Sequence, residues 1–374
     1  MAAAGLAGLA ASGSAGAQNR PVSWPHWEAY KAHFLNAEGR VVDYSASDHT
    51  TTEGQAYGLF FALVANDRVT FERLLRWTEE NLGSKDLTHL PSWLYGHDDA
   101  WKWHVLDPNS ASDADLWMSY VLLEAGRLWN EPRYDRLGRA LAELIARNEV
   151  TTLPDLGPML LPGPTGFALA DDAWRLNPSY VPPQLLRRLA AAIPGGPWRG
   201  IAASSLRMLR EGVRNGAVPD WIRYRKAGGF DADPVTGAVG SYDAIRVYLW
   251  LGMLDPGDAW RQGLGPITST MLRYWTTHAS LPVRLNTAQP NNGSGTAPPG
   301  FLSAVLVEAQ ARGDAATLGA VDGALGRTLT AGLYGMPPAY YDQNLILFAR
   351  GYTTGQFRFL PDGSLCPGWK EGCH

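Results

Sequence analysis

The sequence predicts an all-α fold. Three observations carry that reading. About a dozen segments repeat apolar residues at helical spacing. Strand-like alternation is sparse and short. No low-complexity linker divides residues 20–365, where Pro and Gly are spread as punctuation. In order, the helical segments are 25–37, 54–66, 68–82, 113–129, 132–147, 183–193, 198–213, 242–253, 256–277, 300–312, 315–330 and 340–351. Stop signals such as Asp67, Gly83, Asn130, Asn148, Pro194 and Gly313 follow them. Two starts are marked. Thr52-Glu53-Gly54 precedes the second segment, and Ser112 with Asp115 forms a capping-box-like pair at the fourth. The loops are long, and 221–230 is expected to form a small hairpin. So many helices in one undivided domain must bury their apolar faces against each other. Two concentric rings of six would do that, and so would a bundle. No fixed repeat period supports a solenoid.

Composition narrows the function. Of 374 residues, 45% are hydrophobic and only 18% charged; typical domains carry about 25% charged residues, so a disordered polyelectrolyte is excluded. The 32 Lys and Arg against 36 Asp and Glu give a net charge of −4. Nucleic acid and anionic membrane surfaces therefore have no basic field to bind. No apolar run after the N-terminus is long enough for a membrane span. There is no Gly-rich phosphate loop, no GxSxG, no HExxH and no ligand cluster among the eight His, so no metal or cofactor is expected.

Met1 to Ala17 is almost entirely Ala, Gly, Leu and Ser, and Ala15-Gly16-Ala17 fits a small-residue cleavage site. Residues 1–17 therefore read as a signal-like segment, and 18–374 as one catalytic domain in a periplasmic or secreted protein. The only cysteines, Cys366 and Cys373, are spaced for a small disulfide loop, which export permits.

Three acidic residues stand at the starts of apolar helices. Glu53 lies in Thr52-Glu53-Gly54-Gln55-Ala56-Tyr57-Gly58, where Gly54 and Gly58 allow a close approach one helical turn apart. Asp113 lies in Ser112-Asp113-Ala114-Asp115. Asp113 and Asp115 cannot share a helix face, so Asp115 reads as the solvated or capping member. Asp243 lies in Ser241-Tyr242-Asp243-Ala244-Ile245-Arg246, with Arg246 at i+3. Each has a plain alternative as helix-terminal charge or a surface ion pair. The 15 Trp and 15 Tyr are the unusual figures, because many sit in loops: Trp93, Tyr95, Trp101, Trp103, Trp174, Tyr180, Trp221 and Tyr224. Sugar rings present apolar C–H faces that pack on aromatic faces. Carboxylates beside loop aromatics are the combination expected of a polysaccharide-cleaving cleft.

At these motifs the sequence resembles glycoside hydrolase family 8. Ala111-Ser112-Asp113-Ala114-Asp115 with Leu128-Trp129 resembles the family signature, departing at Ser119, where Ala is usual. The Glu53 and Asp243 segments match as well. A narrower likeness, to the periplasmic branch that accompanies bacterial cellulose synthase, rests on Gly58-Leu59-Phe60-Phe61-Ala62-Leu63, Met159-Leu160-Leu161-Pro162-Gly163, Asn177-Pro178-Ser179-Tyr180 and Pro219-Asp220-Trp221.

The resemblance implies an (α/α)6 barrel with long loops forming a substrate cleft. It implies inverting, endo-acting hydrolysis of β-1,4-glucan (cellulose), with Glu53 as acid, Asp243 as base and Asp113 binding and distorting the sugar. Tyr57, Trp93, Trp101, Trp103, Trp174, Tyr180, Tyr242 and Arg246 would bind substrate, and Tyr242 and Arg246 would also support the base. The cellulose synthase complex is implied as a partner. Chitosan or xylan as substrate, or a non-catalytic polysaccharide-binding role, are the alternatives. Inversion implies roughly 6.5–9.5 Å between acid and base carboxyls.

Overall fold

A computed structural model describes residues 21–372. The 1–17 segment and Cys373 fall outside the described residues. Cys366 is disulfide-bonded.

The helices among the described residues are α1 (Pro25–Phe34), α2 (Thr52–Val64), α3 (Arg68–Asn81), α4 (Ser112–Trp129), α5 (Pro132–Asn148), α6 (Pro183–Ala192), α7 (Trp198–Arg207), α8 (Ala244–Gly252), α9 (Ala259–Gly263), α10 (Gly265–Thr268), α11 (Thr270–His278), α12 (Leu302–Arg312), α13 (Ala315–Gly326) and α14 (Tyr340–Thr353). Every segment read from apolar spacing is present, with two differences. The stretch 256–277 is three short helices, because Pro266 cannot donate a backbone hydrogen bond and Gly263 and Gly265 weaken the run. The stretch 315–330 stops at Gly326, and Leu329–Thr330 then pairs with Leu333–Tyr334. The expected cap at Ser112 is also displaced: Ala111 is the N-cap and makes no side-chain capping bond.

The helices alternate between two rings. α4 buries every residue except Arg127, whereas α5 buries only Tyr134, Gly138, Leu141, Ala142 and Ile145. The same contrast separates α2 from α3 and α12 from α13. α2, α4, α6, α8, α12 and α14 form the inner ring. α1, α3, α5, α7, the α9–α11 run and α13 surround it. This is an (α/α)6 barrel. α2, α4 and α8 are buried on nearly all sides because both the axis and the outer ring cover them, whereas α6 keeps one partly open face with Arg187 and Arg188.

Aromatic rings fill the axis. Phe60, Trp117, Trp250 and Phe348 pack with five of their ring-centroid separations between 5.1 and 5.3 Å. Below them the hairpin Phe357–Phe359/Leu365–Pro367 closes the barrel, with Phe357 5.1 Å from Phe60. Buried Glu124 pins that hairpin by accepting from the Leu365 N–H at 2.7 Å, and it is ion-paired with Arg127 and Arg188. Truncating a fully buried ring such as Trp117 to Ala would cost about 3–5 kcal/mol.

Strict alternation has a geometric consequence. The chain returns to the same end of the barrel before each inner helix, so all six inner helices start at one end. The connections there are long: 35–51, 82–111, 149–182, 208–243, 279–301 and 327–339. Most turns at the other end are tight, such as 65–67, 130–131 and 313–314. The long connections carry most of the short strands, each two to five residues. Runs that short do not register as alternation in a sequence. The expected 221–230 hairpin is Ile222–Arg225 paired with Gly229–Ala232, widened by Ala173–Leu176 and Ala168–Leu169 into four strands.

Candidate active site

At the loop-bearing end lies a cavity of about 480 Å³. The starts of the inner helices form its floor. Thr51 caps α2 by accepting from the Gly54 N–H at 3.3 Å, which places Glu53 in the first turn facing the cavity. Gly54 is needed here, because a Cβ would lie 2.8 Å from the Tyr340 hydroxyl. Trp93 donates its indole N–H to Glu53 at 3.1 Å. Glu53 opens only towards the cavity and is otherwise surrounded by protein. Burial, and next the charge of Asp113, push its carboxyl from 4.5 up to about 8.

Asp113, in the first turn of α4, is fully buried. Burial raises its pKa and Arg246 opposes that. Arg246 donates to Asp113 at 2.8 Å and to Asp243 at 2.6 Å, so one guanidinium bridges two carboxylates. The Tyr57 hydroxyl lies 3.3 Å from the same guanidinium, and the Tyr180 ring lies 5.5 Å from it. Asp243 keeps 26% of its side chain exposed. Its turn is built by Asp220, which accepts the backbone N–H groups of Ser241 (2.7 Å), Asp243 (3.1 Å) and Ala244 (2.8 Å). Burial pushes Asp220 from 3.8 up to about 6. Tyr341 hydrogen-bonds the carbonyl of Tyr242, tying that turn to α14.

The three acids read from the sequence therefore converge. Glu53 and Asp243 line the cavity, as do Tyr57, Trp93, Tyr180, Tyr242 and Arg246; Asp113 is buried beside Arg246 and is not part of the lining. Tyr57 serves through its hydroxyl, because its ring packs into the core against Trp117 and Phe348. Trp101, Trp103 and Trp174 do not line it, contrary to expectation. Trp174 packs towards Tyr224 within the four-stranded sheet, and the other two sit at the outer end of the 94–107 hairpin. Asp115 is also not solvated. It is fully buried, because α4 is enclosed by the axis and the outer ring, and its carboxyl meets that of Glu149, which accepts a hydrogen bond from the Ser110 hydroxyl at 2.6 Å. Burial raises both carboxyls, Asp115 well above the usual carboxylate range and Glu149 from 4.5 up to about 8.

Sequence reasoning missed Phe167, Arg175, Tyr340 and Tyr341, which also line the cavity. Phe167 lies parallel to Trp221 at 5.9 Å, with the Arg175 guanidinium 4.4 Å from the Trp221 ring. The pair Tyr340-Tyr341, just after Pro337-Pro338 and at a helix start, was the one available signal.

Among the described residues no cluster of His, Cys, Asp and Glu could hold a metal ion, and no helix is long and apolar enough to cross a membrane. The arrangement can donate a proton from a neutral buried acid and accept one at an arginine-paired, partly open carboxylate.

Comparison with known proteins places the whole chain. The model for glycosyl hydrolases family 8 matches residues 6–355. An endoglucanase of Xanthomonas axonopodis pv. citri is 44% identical over 98% of this chain and 95% of its own. An endoglucanase of Escherichia coli K12 is 42% identical over 94% and 93%. The crystal structure of an endo-1,4-D-glucanase from Vibrio fischeri ES114 superposes with a TM-score of 0.86 at 39% identity, covering 93% of this chain and 99% of that one.

Proposed function

The chain belongs to glycosyl hydrolases family 8, and from that premise we propose that it is an endo-acting β-1,4-glucanase with Glu53 as general acid and Asp243 as general base. The observation that carries the reading is a pair of carboxyls in contrasting surroundings within one aromatic-lined cavity. Glu53 is held neutral by burial up to about 8. Asp243 is ion-paired and faces open space.

In the reaction the bond from the anomeric carbon to the leaving oxygen breaks, and a bond from that carbon to water forms. Glu53 gives its proton to the leaving oxygen. Asp243 takes a proton from the attacking water on the opposite face. Asp113, locked by Arg246, cannot approach as a free nucleophile without breaking a buried ion pair. Its charge shapes the field that keeps Glu53 protonated, and through the shared Arg246 it positions Asp243. Faces of Trp93, Phe167, Tyr180, Trp221 and Tyr242 hold neighbouring glucose units in register.

We place the enzyme in the periplasm or outside the cell, acting on cellulose beside its synthase. The small-residue segment Met1–Ala17 and the motifs shared with the synthase-associated branch support this.

Proton NMR of the first products from cellopentaose tests the mechanism. New α-anomer at the reducing end is expected. New β-anomer would overturn inversion and make Asp113 the nucleophile.

A further inference from the structure

We propose that the tip of the 94–107 hairpin, faced by Trp101, is an outer platform for the glucan chain beyond the cavity. This rests on the reading of the cavity as a β-1,4-glucan site. Leu94–His97 pairs with Trp103–Asp107. The base of this hairpin belongs to the cavity, whose lining includes Trp93, Asp107 and Asn109. Its tip does not. The register slips between Leu94 and Tyr95, where Leu106 is the extra residue, and the strands then run on to the His97–Trp103 pair, so the tip stands roughly 13 Å from the base at 3.3 Å per residue.

The tip is built to display an indole. Trp101 is 70% exposed, whereas Trp27, Trp117 and Trp198 are fully buried. Its backbone adopts φ 58°, a left-handed conformation that a bulky residue enters only when its surroundings enforce it. The turn enforces it. The Trp101 N–H donates to the Asp98 carbonyl at 2.9 Å, and the Asp98 carboxylate accepts from the N–H groups of Ala100 (2.9 Å) and Lys102 (3.0 Å).

One indole face lies flat on His97, 4.2 Å away at 14°. A ladder of rings continues inward. His97 meets Trp103 at 5.1 Å, and Trp103 stacks on Tyr95 at 6.0 Å. Tyr95 then abuts buried Trp77 at 5.3 Å. The Arg40 guanidinium sits 4.2 Å from the Trp103 ring centroid. Trp101 is thus a rigid, backed platform.

A backed aromatic face open to water fits the apolar C–H face of a pyranose. A polymer longer than the cavity has to leave across its rim, and this hairpin is part of that rim. The occupant we assign is therefore the same glucan chain, several units from the cleaved bond.

The test compares Trp101→Ala with the parent on soluble hydroxyethylcellulose and on cellotetraose. Thermal melting checks that the variant is folded. The ratio of kcat/KM on polymer to that on cellotetraose is expected to fall about fivefold, the factor equivalent to about 1 kcal/mol, through KM. Trp101→Tyr, which keeps a platform, is expected to recover most of it. An unchanged ratio in folded Trp101→Ala overturns the proposal and leaves the glucanase reading intact. Should neither substrate be cleaved by the parent, the glucanase reading fails. Native-gel retardation by hydroxyethylcellulose then decides alone: loss of retardation in Trp101→Ala upholds the platform, and unchanged retardation ends it.

Discussion

The acid and base sides of the cavity are built on opposite principles. Glu53 is set by exclusion: protein surrounds it on all sides but one, and the Trp93 indole N–H reaches it. Asp243 is set by tethering: three backbone amides converge on Asp220, and a guanidinium shared with Asp113 holds the carboxylate. Both stand at the start of an inner helix, where the helix dipole favours negative charge. Burial overrides that preference at Glu53. The contrast shows that helix position alone does not set a carboxyl's role; the packing around it does.

The largest effect should come from splitting the pair by leaving group. Glu53→Gln is expected to lower kcat/KM on cellopentaose by about 10³-fold, within the range for a general acid. A dinitrophenyl cellooligosaccharide, whose leaving group needs no proton, should be spared much of that loss. Asp243→Asn should lower both substrates together, because water still lacks its base. Equal losses on both substrates in Glu53→Gln would remove Glu53 from the acid role.

Next in size is the tether. Asp220→Ala leaves three N–H groups without their acceptor and lets the Asp243 turn drift. We expect kcat to fall about tenfold with KM nearly constant, the pattern of a lost positioning effect. Steady-state kinetics showing a rise in KM alone would mean that the turn binds sugar and does not aim the base.

The smallest effect concerns pH. Activity should decline as pH rises through about 8, where Glu53 ionises. The Trp93 N–H stabilises the ionised form, so Trp93→Phe should move that limb upward by a fraction of a pH unit. Stability follows the same group with a defined sign. Below 4.5 the carboxyl is protonated in folded and unfolded chains alike. Between 4.5 and about 8 only the unfolded chain loses the proton, so stability falls with rising pH and levels off above. Glu53→Gln should therefore raise Tm more at pH 8 than at pH 4.5. A Tm gain that ignores pH would mean Glu53 is not held neutral.

Much of this was legible in the sequence. Apolar spacing located the inner helices such as α2 and α4, which are largely apolar runs, but it merged α9, α10 and α11 into one. The three acids were legible because each sits in a polar patch just ahead of such a run. Three kinds of feature were hidden. Strands of two to five residues are too short to show a period. Asp115 looked like a helix cap because burial by the outer ring is a tertiary fact. Phe167 and Tyr341 reach the cavity from loops and helices far along the chain, and no local spacing encodes that convergence. Conversely, loop position suggested Trp174 for the cavity, but its strand carries it into a side sheet.

The ring-filled axis decides how a long strand can be met. No thread can pass through the barrel, and the floor beneath the carboxyls is solid. A strand has to be laid across the loop-bearing end, and an endo-acting enzyme working there seizes it along its length without first finding a tip. In a thick solution of long strands, the viscosity should collapse early, well before sugar ends accumulate in proportion.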